Sequence, residues 1–175
     1  MVIEMGEVEI TTGSGVQPTD LAWRVFAELL VDWLLSAPDE GYVIMDLAWP
    51  DDPLAGTAPY AQLAIHGHRV RSEAVSNHFL DPLFWLDAGR IAELDRLGWR
   101  APTATMRQGS TNFHRNDRLP EDAGPLARRL VATLRNVYGV PEPCFLEVCG
   151  FDGDDAWSEA ELLLGMHVVR PRHTK

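Results

Sequence analysis

The sequence has little of what marks several common classes of protein. It has two cysteines and a single lysine, Lys175, among 175 residues. Cys144 and Cys149 form neither a C-x-x-C motif nor a zinc pair, so we expect two buried free thiols. No apolar run approaches the roughly 18 residues of a membrane span. The G-x-S-x-G, phosphate-loop and G-x-G-x-x-G motifs are also missing, so the sequence carries no signature of a hydrolase or a nucleotide-binding enzyme.

Positive charge is also scarce. The 26 acidic and 15 basic residues give a net charge of −11, which argues against a nucleic acid or an anionic membrane as partner. The imbalance lies in residues 1–60, which hold 11 acids and one base, whereas residues 61–120 hold 6 acids and 8 bases. The acidic part is either an ordinary soluble surface or a docking surface for a basic partner.

What remains is the composition of a globular domain, with 46% hydrophobic residues and six tryptophans. Residues 1–17 are acidic and then rich in Thr, Gly and Ser, and we predict a flexible acidic arm there. Residues 18–150 are predicted to form one folded domain, and residues 151–175 an extension packed on it. Acids stand where a signal peptide would carry bases, so a cytoplasmic location is expected.

Apolar residues at helical spacing predict a first helix, capped by Thr19. Its apolar surface is wider than one face of a sheet can cover. We therefore expect a homodimer whose interface includes Trp23, Phe26, Leu30 and Trp33.

Three runs of strand-like residues follow, at 42–49, 60–65 and 69–75, and a further one lies at 144–149. Gly67, between the second and third runs, is a typical signal of a tight hairpin turn. The runs therefore predict an antiparallel sheet.

Two more helices are predicted between the third and the last of these runs. The first is capped by Asp87 and ended by Gly98. The second carries a stripe that includes Leu126, Leu130 and Leu134 on one face. Together with the strands, these helices predict an α+β fold in which helices flank an antiparallel sheet.

The histidines offer one possible metal site. His66 and His68 flank a glycine, and in a strand this spacing would place both imidazoles on one side, with His78, His114 or Asp46 as a third ligand. The competing interpretation is a turn at the glycine, which would splay the two rings apart.

Three blocks of sequence point to a known family. The first is RSEAVSNHFL at 71–80, and the second is LGWRAP at 97–102 with Asn112 and Phe113. The third is Leu126-Ala127, TLRNVYGVP at 133–141, then Pro143, Phe145 and Leu146. Together these blocks resemble the YbjN-like, type III secretion chaperone-like domains of the TY-Chap group, over roughly residues 19–147.

The resemblance implies an α+β fold of the type III secretion chaperone-like kind. Related chaperones dimerise and hold secreted proteins in extended form on their surfaces. The family carries no established catalytic residues, so the resemblance implies no enzyme activity, cofactor or metal.

The function predicted is therefore that of a non-enzymatic protein-binding module, either secretion-chaperone-like or an adaptor. Its partner would be a protein, such as a secreted or effector protein. Two alternatives stay open: an acidic immunity protein that neutralises a toxin, and an enzyme or metal site built on the histidines.

Arginines of the middle third stand near aromatic residues in the sequence. Arginine can hold an extended peptide by pairing with carboxylates and by stacking. The alternative is that these arginines neutralise the acidic first third within the fold. The predicted peptide-binding residues are Arg71, Glu73, Trp99, Arg107, Phe113 and Arg115, with Arg69 and Arg100 in the same part of the chain.

Overall fold

The structure is a computed structural model, and it describes residues 18–37, 39–48, 56–103, 109–152 and 155–156. The predicted arm at 1–17, the extension beyond residue 156 and Arg107 lie outside the described residues. No helix in the part of the chain that the structure describes is long and apolar enough to cross a membrane.

The described residues form three α-helices and six strands. In chain order they are α1 (Pro18–Ser36), β1 (Glu40–Leu47), β2 (Tyr60–His66), β3 (Arg69–Ala74), α2 (Ala88–Arg96), β4 (Phe113–Arg118), α3 (Ala123–Ala132), β5 (Leu146–Asp152) and β6 (Asp155–Ala156). A π-helical turn, Thr133–Val137, continues α3. This order confirms the predicted α+β fold.

All six strands belong to one antiparallel sheet, in the order β4-β3-β2-β1-β5-β6. The first four strands form a meander, and β5 then returns to pair with the other side of β1. Ile44 of β1 consequently lies between Gln62 of β2 and Cys149 of β5.

Three of the residues predicted to bound these elements do so in the structure, whereas Thr19, predicted to cap the first helix, lies inside α1 and donates its hydroxyl to the Glu142 carboxylate at 3.3 Å. The Asp87 carboxylate accepts a hydrogen bond of 2.8 Å from the backbone N–H of Arg90 and so caps α2. Gly98, with φ of 85°, follows the end of that helix, and Gly67, with φ of 56°, forms the turn between β2 and β3. Both glycines adopt a left-handed conformation that other residues rarely tolerate.

The core lies between the helices and one face of the sheet. Alternate residues of the strands, such as Val43, Leu63 and Val70, point towards the helices and are buried. From the other side, Leu126 and Leu130 of α3 are both 0% exposed, which confirms the predicted apolar stripe. These side chains belong to a single hydrophobic cluster.

The four residues predicted to form a dimer interface are core residues of this one chain. Trp23, Phe26, Leu30 and Trp33 are between 0% and 3% exposed, and the indole N–H of Trp23 donates to the carbonyl of Pro141 at 3.2 Å. The prediction of these interface residues was wrong because α3 packs beside α1 and shares the cover of its apolar face. The homodimer itself stays a prediction, for which α1 offers exposed side chains at Leu21, Val25 and Leu35.

An ion pair is buried between α3 and the sheet. Arg129 and Asp117 bond to each other, with side chains 5% and 2% exposed. Arg129 also donates to the Ser72 hydroxyl at 3.3 Å and lies 5.2 Å from the ring centroid of Trp99. Burial lowers the pKa of Arg129, while the charge of Asp117 opposes that shift. Because removing one partner would leave an uncompensated buried charge, the pair holds α3 and β4 together.

Candidate functional site

The second face of the sheet is only partly covered. Side chains alternate between the two faces of each strand, and the outward-facing residues of β1, β2 and β3 are exposed or half-buried where their neighbours are buried. We call this surface, together with the outward Asn116 and Arg118 of β4, the open face. Its outward residues on β1, β2 and β3 are Glu40, Tyr42, Ile44, Asp46, Tyr60, Gln62, Ala64, His66, Arg69, Arg71 and Glu73.

A groove of about 450 Å³ lies at the centre of the open face. Its volume falls within the range of ligand pockets, roughly 300–1,000 Å³. Tyr42, at 48% exposed, is a large aromatic side chain accessible from solvent. The groove thus combines an accessible aromatic surface with polar groups: it is lined by Tyr42, Ile44 and Ala64 together with Gln62, Arg71 and Glu73.

Two of the predicted binding residues, Arg71 and Glu73, meet at this groove. They are two residues apart on β3, so both point outward, and the Arg71 Nε lies 2.9 Å from a carboxylate oxygen of Glu73. The guanidinium also donates to the carbonyl of Gly109 at 2.8 Å. The second oxygen of Glu73 accepts a hydrogen bond of 3.1 Å from the amide of Gln62. Arg71 and Glu73 are therefore held in fixed positions.

Asn112 ties this network to the neighbouring strands. Its side-chain amide donates to the Tyr60 hydroxyl at 3.1 Å and to Glu73 at 3.4 Å. Its carbonyl oxygen accepts from the backbone N–H of Ser76 at 3.1 Å. One buried side chain thus fixes the loop before β4 against β2 and β3.

Arg115 does not share the surface of Arg71. The register of β3 and β4 places Arg115 opposite Ser72, and Arg71 opposite Asn116. Residues opposite each other in a sheet point to the same face, so Arg115 points to the helix side with the buried Ser72. There it bonds to Asp117 at 3.3 Å and to the carbonyl of Gly98 at 3.1 Å. The prediction of one surface containing both arginines was therefore wrong.

The predicted aromatic residues also lie away from the groove. Trp99 is 3% exposed and donates its indole N–H to the Thr133 hydroxyl at 2.8 Å, so it is a core residue and not a docking surface. Phe113 is 6% exposed and lines a different cavity, of about 650 Å³, beside α2. Its apolar lining includes Ile91 and Pro102.

Arg71 and Arg115 also do not have the alternative role considered for these arginines, which was to neutralise the acidic first third of the chain. Arg71 and Arg115 pair with acids of the middle third, Glu73 and Asp117. Among the ion pairs of the described residues, only the pair of Arg135 with Asp20 reaches back into residues 1–60.

A pair of carboxylates marks one end of the open face. Asp46 of β1 lies opposite Glu147 of β5. Burial raises the pKa of Asp46 to about 6, and the negative charge of Glu147 adds to the effect. Burial also raises the pKa of the Cys149 thiol on the same strand as Glu147, with a further contribution from both carboxylates. The raised pKa disfavours the thiolate, which is the reactive form of cysteine.

The histidines and cysteines do not assemble into a site. His66 and His68 flank the β2–β3 turn, as the competing interpretation expected. No three His, Cys, Asp or Glu side chains within the described ranges are grouped so that they could hold a metal ion. Cys144 is exposed and Cys149 half-buried, which corrects the expectation that both thiols are buried.

The sequence interpretation missed several residues of the open face. Tyr42 and Ile44 carry no clear signal, because residues 42–46 read Tyr-Val-Ile-Met-Asp and show no alternation of polar and apolar residues that would tell the outward face from the buried one. Asp46 and Glu147 could not be found either, since they are about a hundred positions apart and meet only through the pairing of β1 with β5.

The sheet thus has helices on one face and a groove on the other. The model of the family TY-Chap3, described as "T3SS (YopN, CesT) and YbjN peptide-binding chaperone 3", matches residues 17–152. The match covers more than half of the chain, and the chain therefore belongs to this family. The resemblance seen in the sequence is confirmed. No curated protein and no solved structure matches the chain.

Proposed function

We propose that this protein is a non-enzymatic peptide-binding module that holds an extended segment of another protein in the groove of the open face. The observation that carries this proposal is the groove itself, with Tyr42, Ile44 and Ala64 beside the fixed pair Arg71–Glu73. Membership of a family described as peptide-binding chaperones supports the same function.

The chemistry of the groove suits a peptide that is apolar in part. Tyr42 offers a rigid aromatic surface, and such side chains contribute contact area at a low cost in conformational entropy. The half-buried polar groups around Glu73 already bond to one another, so an apolar side chain entering the groove leaves none of them without a partner. The contacts of the peptide's side chains with the groove, and not the geometry of a reaction, then determine which sequences bind.

The proposal can be tested with a library of random peptides displayed on phage and selected on the full chain. Selected peptides are synthesised, labelled and measured by fluorescence polarisation. Ala64→Arg places a long charged side chain in the groove and should weaken binding by at least about tenfold. Ala92→Arg, the same substitution on an exposed position of α2, should leave binding unchanged.

Both variants should melt close to the wild-type temperature, because both positions reach solvent and neither lies in the core cluster. A library that yields no binding peptides would contradict the proposed function. Peptides that bind Ala64→Arg as tightly as wild type would place the binding surface elsewhere.

A further inference from the structure

One corner of the open face is lined by basic side chains. Arg69 of β3 lies directly opposite Arg118 of β4, and His66 of β2 lies on the other side of Arg69. All three are exposed. A cavity of about 520 Å³ opens at these residues, and its lining also includes Arg71 and Asn116. We call Arg69 and Arg118 the cationic corner; Glu40 of β1 lies opposite His66 on the side away from Arg69 and forms no ion pair with either arginine.

The two arginines of this corner have no acidic partner among the residues that the structure describes. The ion pairs found there involve other arginines. Asp117 also lines the cavity, but its oxygens accept from Arg129 and Arg115 on the helix side. The carboxylate of Asp122 accepts from the backbone N–H of Arg118 at 2.8 Å and not from its guanidinium.

The placement of Arg69 opposite Arg118 reduces the stability of the sheet. Like charges directly opposite each other in a sheet are destabilising. The chain has 26 acidic residues, yet it places two arginines side by side at Arg69 and Arg118. An anion from outside the fold would remove the repulsion and satisfy both guanidinium groups.

The corner is continuous with the groove. Arg71 lines both the central groove and the corner cavity. Arg69 lies two residues further along the same strand, which corresponds to about 7 Å. A peptide only a few residues long therefore spans both, whereas a small free anion would gain nothing from the apolar groove.

We propose that the cationic corner binds an acidic side chain of the peptide segment that occupies the groove, and so selects segments with an aspartate or glutamate at one end. This inference rests on the proposed function. A carboxylate between Arg69 and Arg118 would accept charge-assisted hydrogen bonds from both guanidinium groups.

The test is a switch of specificity. Peptides selected on the wild-type chain should be enriched in Asp or Glu at one end. The double variant Arg69→Glu with Arg118→Glu should instead select Lys or Arg at that end. For a selected acidic peptide, replacing the acidic residue by its amide should weaken binding to wild type by about fivefold or more. The same replacement should strengthen binding to the double variant, because it removes the repulsion between the peptide carboxylate and the two introduced glutamates.

The control is Arg24→Glu with Arg128→Glu, two exposed helical arginines whose replacement changes the net charge equally. This variant should keep the wild-type preference, which separates the corner from the total charge of the protein. Thermal melting followed by circular dichroism confirms that each variant is folded.

Several results would overturn the inference. Peptides that bind in the groove without acidic enrichment, or whose binding survives the double substitution, would leave the proposed function standing and refute the corner. Both proteins are also melted in inorganic phosphate at about 10 mM and in chloride at equal ionic strength. If phosphate raises the melting temperature of wild type more than chloride does, and has no such effect on the double variant, the corner is a site for a free oxyanion instead. A library without any binders would refute both proposals.

Discussion

Replacing Asp46 with asparagine should stabilise the protein at neutral pH, because the folded state holds this carboxyl group in an unfavourable environment. Burial and the charge of Glu147 raise the pKa of Asp46 from 3.8 to about 6. Between these two values the unfolded chain has lost the proton that the folded chain keeps. The folded state then binds more protons than the unfolded state, so stability falls as the pH rises through this window.

The magnitude follows from the change in pKa. At roughly 1.4 kcal/mol per pKa unit, a pKa raised from 3.8 to about 6 costs about 3 kcal/mol once both states are ionised. The cost is absent below pH 3.8, reaches about half its full value near pH 5, and is complete above about pH 7. Asparagine resembles the protonated carboxyl group in shape and carries no charge, so Asp46→Asn should recover most of this free energy.

The assay is urea unfolding near pH 5 and near pH 7.5, with the free energy of unfolding extrapolated to water. The gain from Asp46→Asn should be clearly larger at the higher pH. Glu40→Gln is the matched control, since Glu40 is an exposed carboxylate on the same strand, and it should change stability little at either pH. An equal gain at both pH values, or none, would refute the reasoning, because ionisation of Asp46 would then not be the cause.

Three further predictions concern the core, the helix-side arginine and the oligomeric state. Leu130→Ala should cost about 2–5 kcal/mol in urea unfolding because it leaves a cavity under the sheet, whereas Arg128→Ala should cost little; equal stabilities would contradict the core assignment. Arg115→Glu should lower the melting temperature without weakening peptide binding, since Arg115 points to the helix side; a loss of binding at unchanged melting temperature would reverse this assignment. Light scattering at roughly tens of micromolar should give the mass of the predicted homodimer. Leu21→Glu, on the exposed side of α1, should give the mass of a monomer, whereas the control Leu83→Glu should keep the mass of the dimer. A monomeric wild type would contradict the predicted homodimer.

Several element boundaries could be predicted from the sequence because they depend on local chemistry. Asp87 caps α2 through a hydrogen bond to a residue three positions away, and Gly67 and Gly98 adopt positive φ where the chain turns or a helix ends. The stripe containing Leu126 and Leu130 is also a local pattern, visible as soon as a period of 3.6 residues is tested. Signals of this kind do not depend on which elements later pack together.

The side of the sheet to which each residue belongs could not be predicted in the same way. Arg71 and Arg115 are separated by the register of β3 against β4, and a shift of one residue would exchange their faces. The sequence of β4, FHRNDR, gives no clear alternation, because its helix side carries a buried Asp117 along with Phe113. That aspartate is buried only because Arg129 of α3 pairs with it, a contact that no short-range pattern reveals.

The error about α1 has a similar cause. A stripe that includes Trp23 and Trp33 is more apolar than a single sheet face requires, and a second subunit was the inferred cover. In the structure the cover is α3, which lies beside α1 over the same sheet. The width of an apolar stripe therefore measures how much surface a helix buries, but it does not distinguish a partner chain from another helix of the same chain.

Each end of the open face holds a pair of like charges. Asp46 and Glu147 lie opposite each other at one end, and Arg69 and Arg118 do so at the other, about 20 Å apart along the strands at roughly 3.4 Å per residue. On the helix side of the same sheet, by contrast, the buried carboxylate of Asp117 is paired with the opposite charge of Arg129. Departures from good local design of this kind are expected at functional sites. A bound segment with a basic residue at the first end and an acidic residue at the second would relieve both repulsions, and the order of these charges along the segment would then set the direction in which it lies on the sheet.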